Sequence, residues 1–94
     1  MQNKNKTVYI KVTGRVQGVG FRYFVREKAL AYHLNGWVRN RPDKRVEIEV
    51  QGNSDTIDVF IDFLKLGNGY SQVDKIDLTE IKSTQKFESF LIRY

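Results

Sequence analysis

Apolar and polar positions alternate with a period of two over residues 8–13, with Val8, Ile10 and Val12 on one face and Tyr9, Lys11 and Thr13 on the other. This pattern predicts a strand with one buried side. Gly14, Gly18 and Gly20 follow closely, so the chain next forms a loop that tolerates unusual dihedrals and the close approach of a ligand. From residue 21 to 33 the period lengthens to that of a helix, with Phe21, Val25, Ala29 and Tyr32 on one stripe and Phe24 beside it. Asn35-Gly36 is the expected stop, acting as a left-handed carboxy-terminal cap.

Residues 36–41 and 45–51 read as two further strands joined by a hairpin turn at Pro42-Asp43. Val46, Ile48 and Val50 point inward, and Glu47 and Glu49 outward. Ser54 is placed to cap a second helix with Asp55 and Asp58 in its first turn, and Ile57, Phe60, Ile61 and Leu64 form its apolar stripe. Gly67 and Gly69 end it. Residues 73–82 predict a fourth strand in which Ile76 and Leu78 are in phase and Ile81 is one step out, which calls for a bulge. Residues 87–94 predict a fifth.

The resulting order is βαββαβ plus a short closing strand. Two amphipathic helices bury their stripes against one apolar sheet face, so the expected fold is α+β: a two-layer ferredoxin-like sandwich, mostly antiparallel, with both helices on one face. A chain of 94 residues is expected to form one domain over 7–94 after a flexible polar segment at 1–6.

Composition narrows the chemistry. With no cysteine and a single histidine, thiol nucleophiles, disulfides and transition-metal sites lack their ligands. The polar start and the lack of a long apolar run argue against a signal peptide or membrane span, and a cytoplasmic home is compatible. The net charge of +5 is unevenly spread, with +8 over residues 1–47 and −3 over 48–94. A basic half of this kind suits an anionic partner.

The segment from Gly14 to Arg22 carries the chemistry. It joins a strand to the amino terminus of a helix, where free N–H groups and the helix dipole favour an anion, and Arg22 adds a planar charged fork that matches phosphate oxygens. The alternative is a glycine-rich connector beside a surface arginine. Neither the Walker nor the dinucleotide glycine pattern fits, because Gly18 and Gly20 are followed by Arg22 and Tyr23. The stretch 14–26 also lacks a Cys, His, Asp or Ser that could form a covalent phosphoenzyme, so any hydrolysis there would proceed by direct attack of water.

The string Gly14-Arg15-Val16-Gln17-Gly18-Val19-Gly20-Phe21-Arg22 resembles the first signature of the acylphosphatase family. Gly36-Trp37-Val38-Arg39-Asn40-Arg41-Pro42-Asp43 with Val46 resembles the second. The resemblance implies hydrolysis of the carboxyl-phosphate anhydride of a small acyl phosphate to carboxylate and inorganic phosphate, with no metal or other cofactor. By position, Arg22 corresponds to the phosphate-binding arginine and Asn40 to the residue that orients the water. The backbone amides of Gln17, Gly18, Val19, Gly20 and Phe21 complete the cradle. Lys44 departs from the pattern, standing where the family has glycine. Because a positive backbone dihedral strains lysine, a different turn centred on Pro42 and Asp43 is expected there, with effects on hairpin stability more than on chemistry.

Rival readings remain beside this one. An anion-binding domain that hydrolyses nothing would keep the same cradle. An RNA-binding module shares the element order, but it stacks bases on aromatic residues of its first and third strands, where this chain offers Tyr9 alone beside Glu47 and Glu49. A monomer without nucleic-acid or membrane partners is therefore expected. His33 reads as a solvated helix-end residue, Trp37 as a packing aromatic, and residues 69–71 as a surface connector.

Overall fold

The alternation at the start of the chain becomes β1 (Asn5–Arg15). In order, the elements that follow are α1 (Phe21–Ala31), β2 (Asn35–Asn40), β3 (Val46–Asn53), α2 (Ser54–Leu66), β4 (Gln72–Ile81) and β5 (Phe90–Arg93). The computed structural model describes residues 5–82 and 85–94. One five-stranded sheet has the order β4-β1-β3-β2-β5, antiparallel throughout except for the parallel β2–β5 pair. Both helices cover the same face: α1 lies over β2 and β5, and α2 over β3 and β4. Between the layers lie Val8, Ile10 and Val12 of β1, Val46, Ile48 and Val50 of β3, and the predicted helix stripes, including Phe21, Val25, Phe60 and Leu64. The ferredoxin-like α+β architecture read from the sequence is the one observed. Among the described residues no helix is long and apolar enough to cross a membrane.

Several boundaries differ from expectation. β1 begins at Asn5, paired with Asn53, so Asn5 and Lys6 belong to the sheet, while residues 1–4 of the expected flexible segment lie outside the described residues. α1 ends before Asn35-Gly36. Its left-handed residue is His33 (φ 57°), and the amides of His33 and Leu34 donate to the carbonyls of Leu30 and Ala29 at 3.2 and 2.8 Å, closing a Schellman motif. Gly36 instead lies within β2, where a side chain would collide with the Glu49 carbonyl. The cap of α2 is Asn53, not Ser54, because Asn53 leaves β3 extended (ψ 134°) with its side-chain oxygen accepting from the amides of Asp55 and Thr56. Only Asp55 is acidic in that first turn; Asp58 lies one turn further on.

The bulge forms at Thr13/Gly14, opposite 73–75, and not at Ile81. Ile81 sits on the opposite sheet face from Ile76, paired with Thr7 in unbroken register, so its phase needs no bulge. Leu78 shares the face of Ile76 but is 50% exposed, because β4 is an edge strand. β5 is shorter than 87–94. Phe87 is instead used to tie Asn35 and Gln51, at 3.0 and 2.9 Å.

Candidate active site

Three segments converge at one end of the sheet: the loop after β1, the first turn of α1 and the last residue of β2. They enclose a cavity of about 90 Å³ lined by Val16, Gly18, Gly20, Phe21, Arg22, Tyr23 and Asn40. That is roughly three times the ~30 Å³ share of a liquid water, a volume on the scale of one phosphoryl group. A larger hollow of about 680 Å³ lies elsewhere, along Asn5, His33, Asn35, Gln51 and Asn53, and none of the candidate residues line it. The chemistry therefore points to the smaller cavity.

The loop is shaped by two left-handed glycines, Gly18 at φ 73° and Gly20 at φ 76°. Such a conformation costs a residue with a Cβ about 1–2 kcal/mol. Gly20 caps α1 without a side-chain hydrogen bond, and no acidic residue in the first turn offsets the positive end of the dipole. Among the described residues the loop amides of 17–21 donate to no backbone carbonyl. These donors, the dipole and Arg22 together form a cradle suited to an anion.

Arg22 lies half-buried on the wall of the cavity. Its guanidinium donates to the Arg93 carbonyl at 3.4 Å and stacks over the Tyr94 ring, 4.8 Å from the centroid. Parallel pairing of β5 with β2 brings these carboxy-terminal residues to the same end as Asn40. Asn40 pairs with Val46 at the end of β2, and its Oδ1 is buried without a hydrogen-bond partner among the described residues. Leaving a buried acceptor unpaired costs about 1–3 kcal/mol, so its position at the cavity calls for a donor from a ligand or a water.

Two side chains brace the loop. Gln17 Nε2 donates to the carbonyls of Arg41 and Arg45, both at 2.8 Å, tying the cradle to the β2–β3 hairpin. From the other side, Asn68 Nδ2 donates to the Val19 carbonyl at 2.8 Å. The hairpin tip is a turn with Pro42 and Asp43 at its centre, closed by the Lys44 amide donating to the Arg41 carbonyl at 3.1 Å. Contrary to expectation, Lys44 itself adopts φ 73°. A turn followed by one left-handed residue is a common hairpin closure, and here the lysine accepts the dihedral that the glycine pattern implies.

On the open face of the sheet, Glu47 points away from the core as expected yet is buried. Tyr9 donates to it at 2.6 Å, Arg41 at 3.0 Å, and Arg39 through Nε at 2.8 Å and through a second guanidinium nitrogen. Burial raises its carboxyl, but the bonds from Tyr9, Arg39 and Arg41 outweigh that effect and hold it below the ordinary carboxylate range. Arg39 and Arg41, two cations of the basic half, are thus largely engaged with Glu47, and Arg41 with Asp43 as well.

All the sequence-derived candidates meet at the cavity or its supporting loop: Arg22, Asn40, Gly18, Gly20 and Phe21 line it, and Gln17 and Val19 belong to the same loop. The sequence did not point to Arg93, Tyr94 or Asn68. Asn68 adjoins residues 69–71, read as a connector, and had the Asx signal of a side chain that organises its own loop: its Oδ1 accepts from the amides of Tyr70 and Ser71.

A model of the family described as Acylphosphatase matches residues 8–92. An acylphosphatase of Geobacillus kaustophilus is 44% identical over 91 residues, covering 95% of each chain. The crystal structure of acylphosphatase from Bacillus subtilis superposes with a TM-score of 0.91 at 43% identity, covering 97% of this chain and 100% of that one. A solved structure of an acylphosphatase from Coxiella burnetii gives a TM-score of 0.90 at 32% identity, with 99% of each chain covered.

Proposed function

Because the chain belongs to the acylphosphatase family, we propose that its small cavity binds the phosphoryl group of an acyl phosphate and directs a water molecule at phosphorus. The chain is an acylphosphatase-type hydrolase, and the family implies a small-molecule acyl phosphate as substrate. The proposal concerns how these residues act. The amides of residues 17–21 and the guanidinium of Arg22 hold the phosphoryl oxygens, and the guanidinium also offsets the charge that develops during the reaction. The Asn40 Oδ1 accepts a hydrogen bond from the attacking water. The water oxygen bonds to phosphorus, the bond to the acyl oxygen breaks, and that oxygen leaves with its electron pair as carboxylate. The proton of the water passes to a phosphoryl oxygen, since an amide orients water but takes no proton. A carboxylate leaving group is weakly basic, so positioning and charge stabilisation suffice.

The observation that carries this reading is the buried, unpartnered Oδ1 of Asn40, a residue that lines the same small cavity as Arg22 and the left-handed glycines. The open sheet face weighs against the RNA-binding reading, since Glu47 and Glu49 stand on β3 where base-stacking rings would be needed. The expected result is benzoyl phosphate hydrolysis that is undiminished in EDTA and competitively inhibited by inorganic phosphate. Loss of turnover on chelation would overturn the water-only mechanism, and insensitivity to phosphate would overturn the cradle.

A further inference from the structure

The loop after α2 reaches across to the cradle through one side chain, and the geometry of a single peptide unit gives that contact a consequence. Asn68 Nδ2 donates to the Val19 carbonyl at 2.8 Å. The Val19 carbonyl and the Gly20 amide belong to the same planar trans peptide and point in opposite directions. Fixing the carbonyl toward the α2–β4 loop therefore fixes the Gly20 N–H away from it. Gly20 lines the cavity, and among the described residues its amide donates to no backbone carbonyl.

Asn68 is itself well anchored. Its Oδ1 accepts from the amides of Tyr70 and Ser71 at 3.0 and 2.9 Å, and its own amide donates to Ser71 Oγ at 3.1 Å. The side-chain oxygen is used within its loop, so the amide nitrogen is committed to Val19. At φ 76° Gly20 has no steric preference of its own between left- and right-handed conformations, so the orientation of its peptide needs an external hold.

We infer that Asn68 is a positioning residue for phosphate: it turns the Gly20 amide into the cradle so that this donor is aimed before the substrate arrives. The inference rests on the reading of the cavity as a phosphoryl site. A donor aimed in advance does not have to be ordered on binding, and it serves bound substrate, transition state and inorganic phosphate alike. Its loss should therefore raise KM and the phosphate inhibition constant together while leaving kcat nearly unchanged.

The test uses the full chain and inorganic phosphate. In the parent protein, phosphate titration followed by amide NMR should displace the Gly20 signal strongly. In Asn68→Ala the displacement should fall by more than half, with KM and the inhibition constant rising about threefold to tenfold, the range of one ordinary net hydrogen bond, since the Gly20 amide stays in place and loses only its aim. Asn68→Asp keeps the acceptor for Tyr70 and Ser71 and removes only the donor, so it separates the tether from the shape of the α2–β4 loop. It should reproduce the rise, and the uncharged alanine variant shows how much of that rise is due to charge. Parent-like KM and Gly20 displacement in both variants would overturn the inference, as would a fall in kcat at unchanged KM, the mark of a merely structural defect. A parent protein whose Gly20 amide ignores phosphate would overturn both the inference and the cradle beneath it.

Discussion

Arg22 and Asn40 face one cavity, but they ask different things of a ligand. Arg22 presents only donors and a fixed charge, whereas Asn40 presents an acceptor that the unprotonated phosphoryl oxygens of an acyl phosphate cannot satisfy and a water molecule can. The two should therefore separate kinetically. Arg22→Ala should weaken inhibition by phosphate and lower kcat/KM by about 10²–10³, the range for losing a charge-stabilising donor. Asn40→Ala should leave phosphate inhibition within about twofold while lowering kcat by a similar factor. Steady-state kinetics on benzoyl phosphate with phosphate as inhibitor checks both, and an Asn40→Ala enzyme with full turnover would remove Asn40 from the water site. Both residues were legible because each sits in a contiguous motif. Arg93 and Tyr94, which hold the Arg22 guanidinium, were not, because only the parallel closure of β5 on β2 brings them there. No local pattern encodes that pairing.

At the scale of elements, the β2–β3 hairpin joins fold to site. Its tip supplies two carbonyls to Gln17, so the turn that Lys44 completes also sets the position of the cradle relative to Asn40. Element types and order were readable from periodicity, whereas caps were not. Asn53 and Ser54 are both good amino-terminal caps, and the register of β3 decides between them by leaving Asn53 extended. His33 likewise takes the left-handed position that Asn35-Gly36 promised, since β2 needs those two residues for pairing. Lys44→Gly removes a left-handed strain of about 1–2 kcal/mol and returns part of it as chain entropy in the unfolded state, for a net gain of about 0.5–1 kcal/mol. A melting temperature higher by a few degrees is expected. Because glycine keeps the same dihedral, the Gln17 bonds survive and kcat/KM should stay within about twofold. Destabilisation in a thermal melt would show that the lysine is favourable in this turn.

For the whole molecule, the charge asymmetry resolves into two parts. Part of the basic excess, Arg22, lines the cradle, and part is neutralised on the open sheet face, where Arg39 and Arg41 converge on Glu47. That second part couples the fold to pH. The Glu47 carboxyl is raised by burial but held below its ordinary 4.5 overall by Tyr9, Arg39 and Arg41. Asp43 is lowered likewise, with the Arg45 amide and Arg41 overcoming its desolvation. Near those values the unfolded chain binds more protons than the folded one. Both groups therefore stabilise the fold fully above their unfolded values, and that stability is lost as pH falls through the lower folded ones. Glu49, raised by burial against the pull of Arg93, acts in the opposite sense and offsets part of the slope. Glu47→Gln should thus cost about 1–2 kcal/mol at pH 7. This is less than the ~3–5 kcal/mol for breaking a fully buried pair, because the Arg39 and Arg41 side chains remain 49% and 31% exposed. The difference should shrink as the parent carboxyl protonates, so urea unfolding of the two proteins from pH 7 to pH 3 should give stability curves that converge toward the acid end. A constant gap across that range would mean that Glu47 contributes by packing and not by charge.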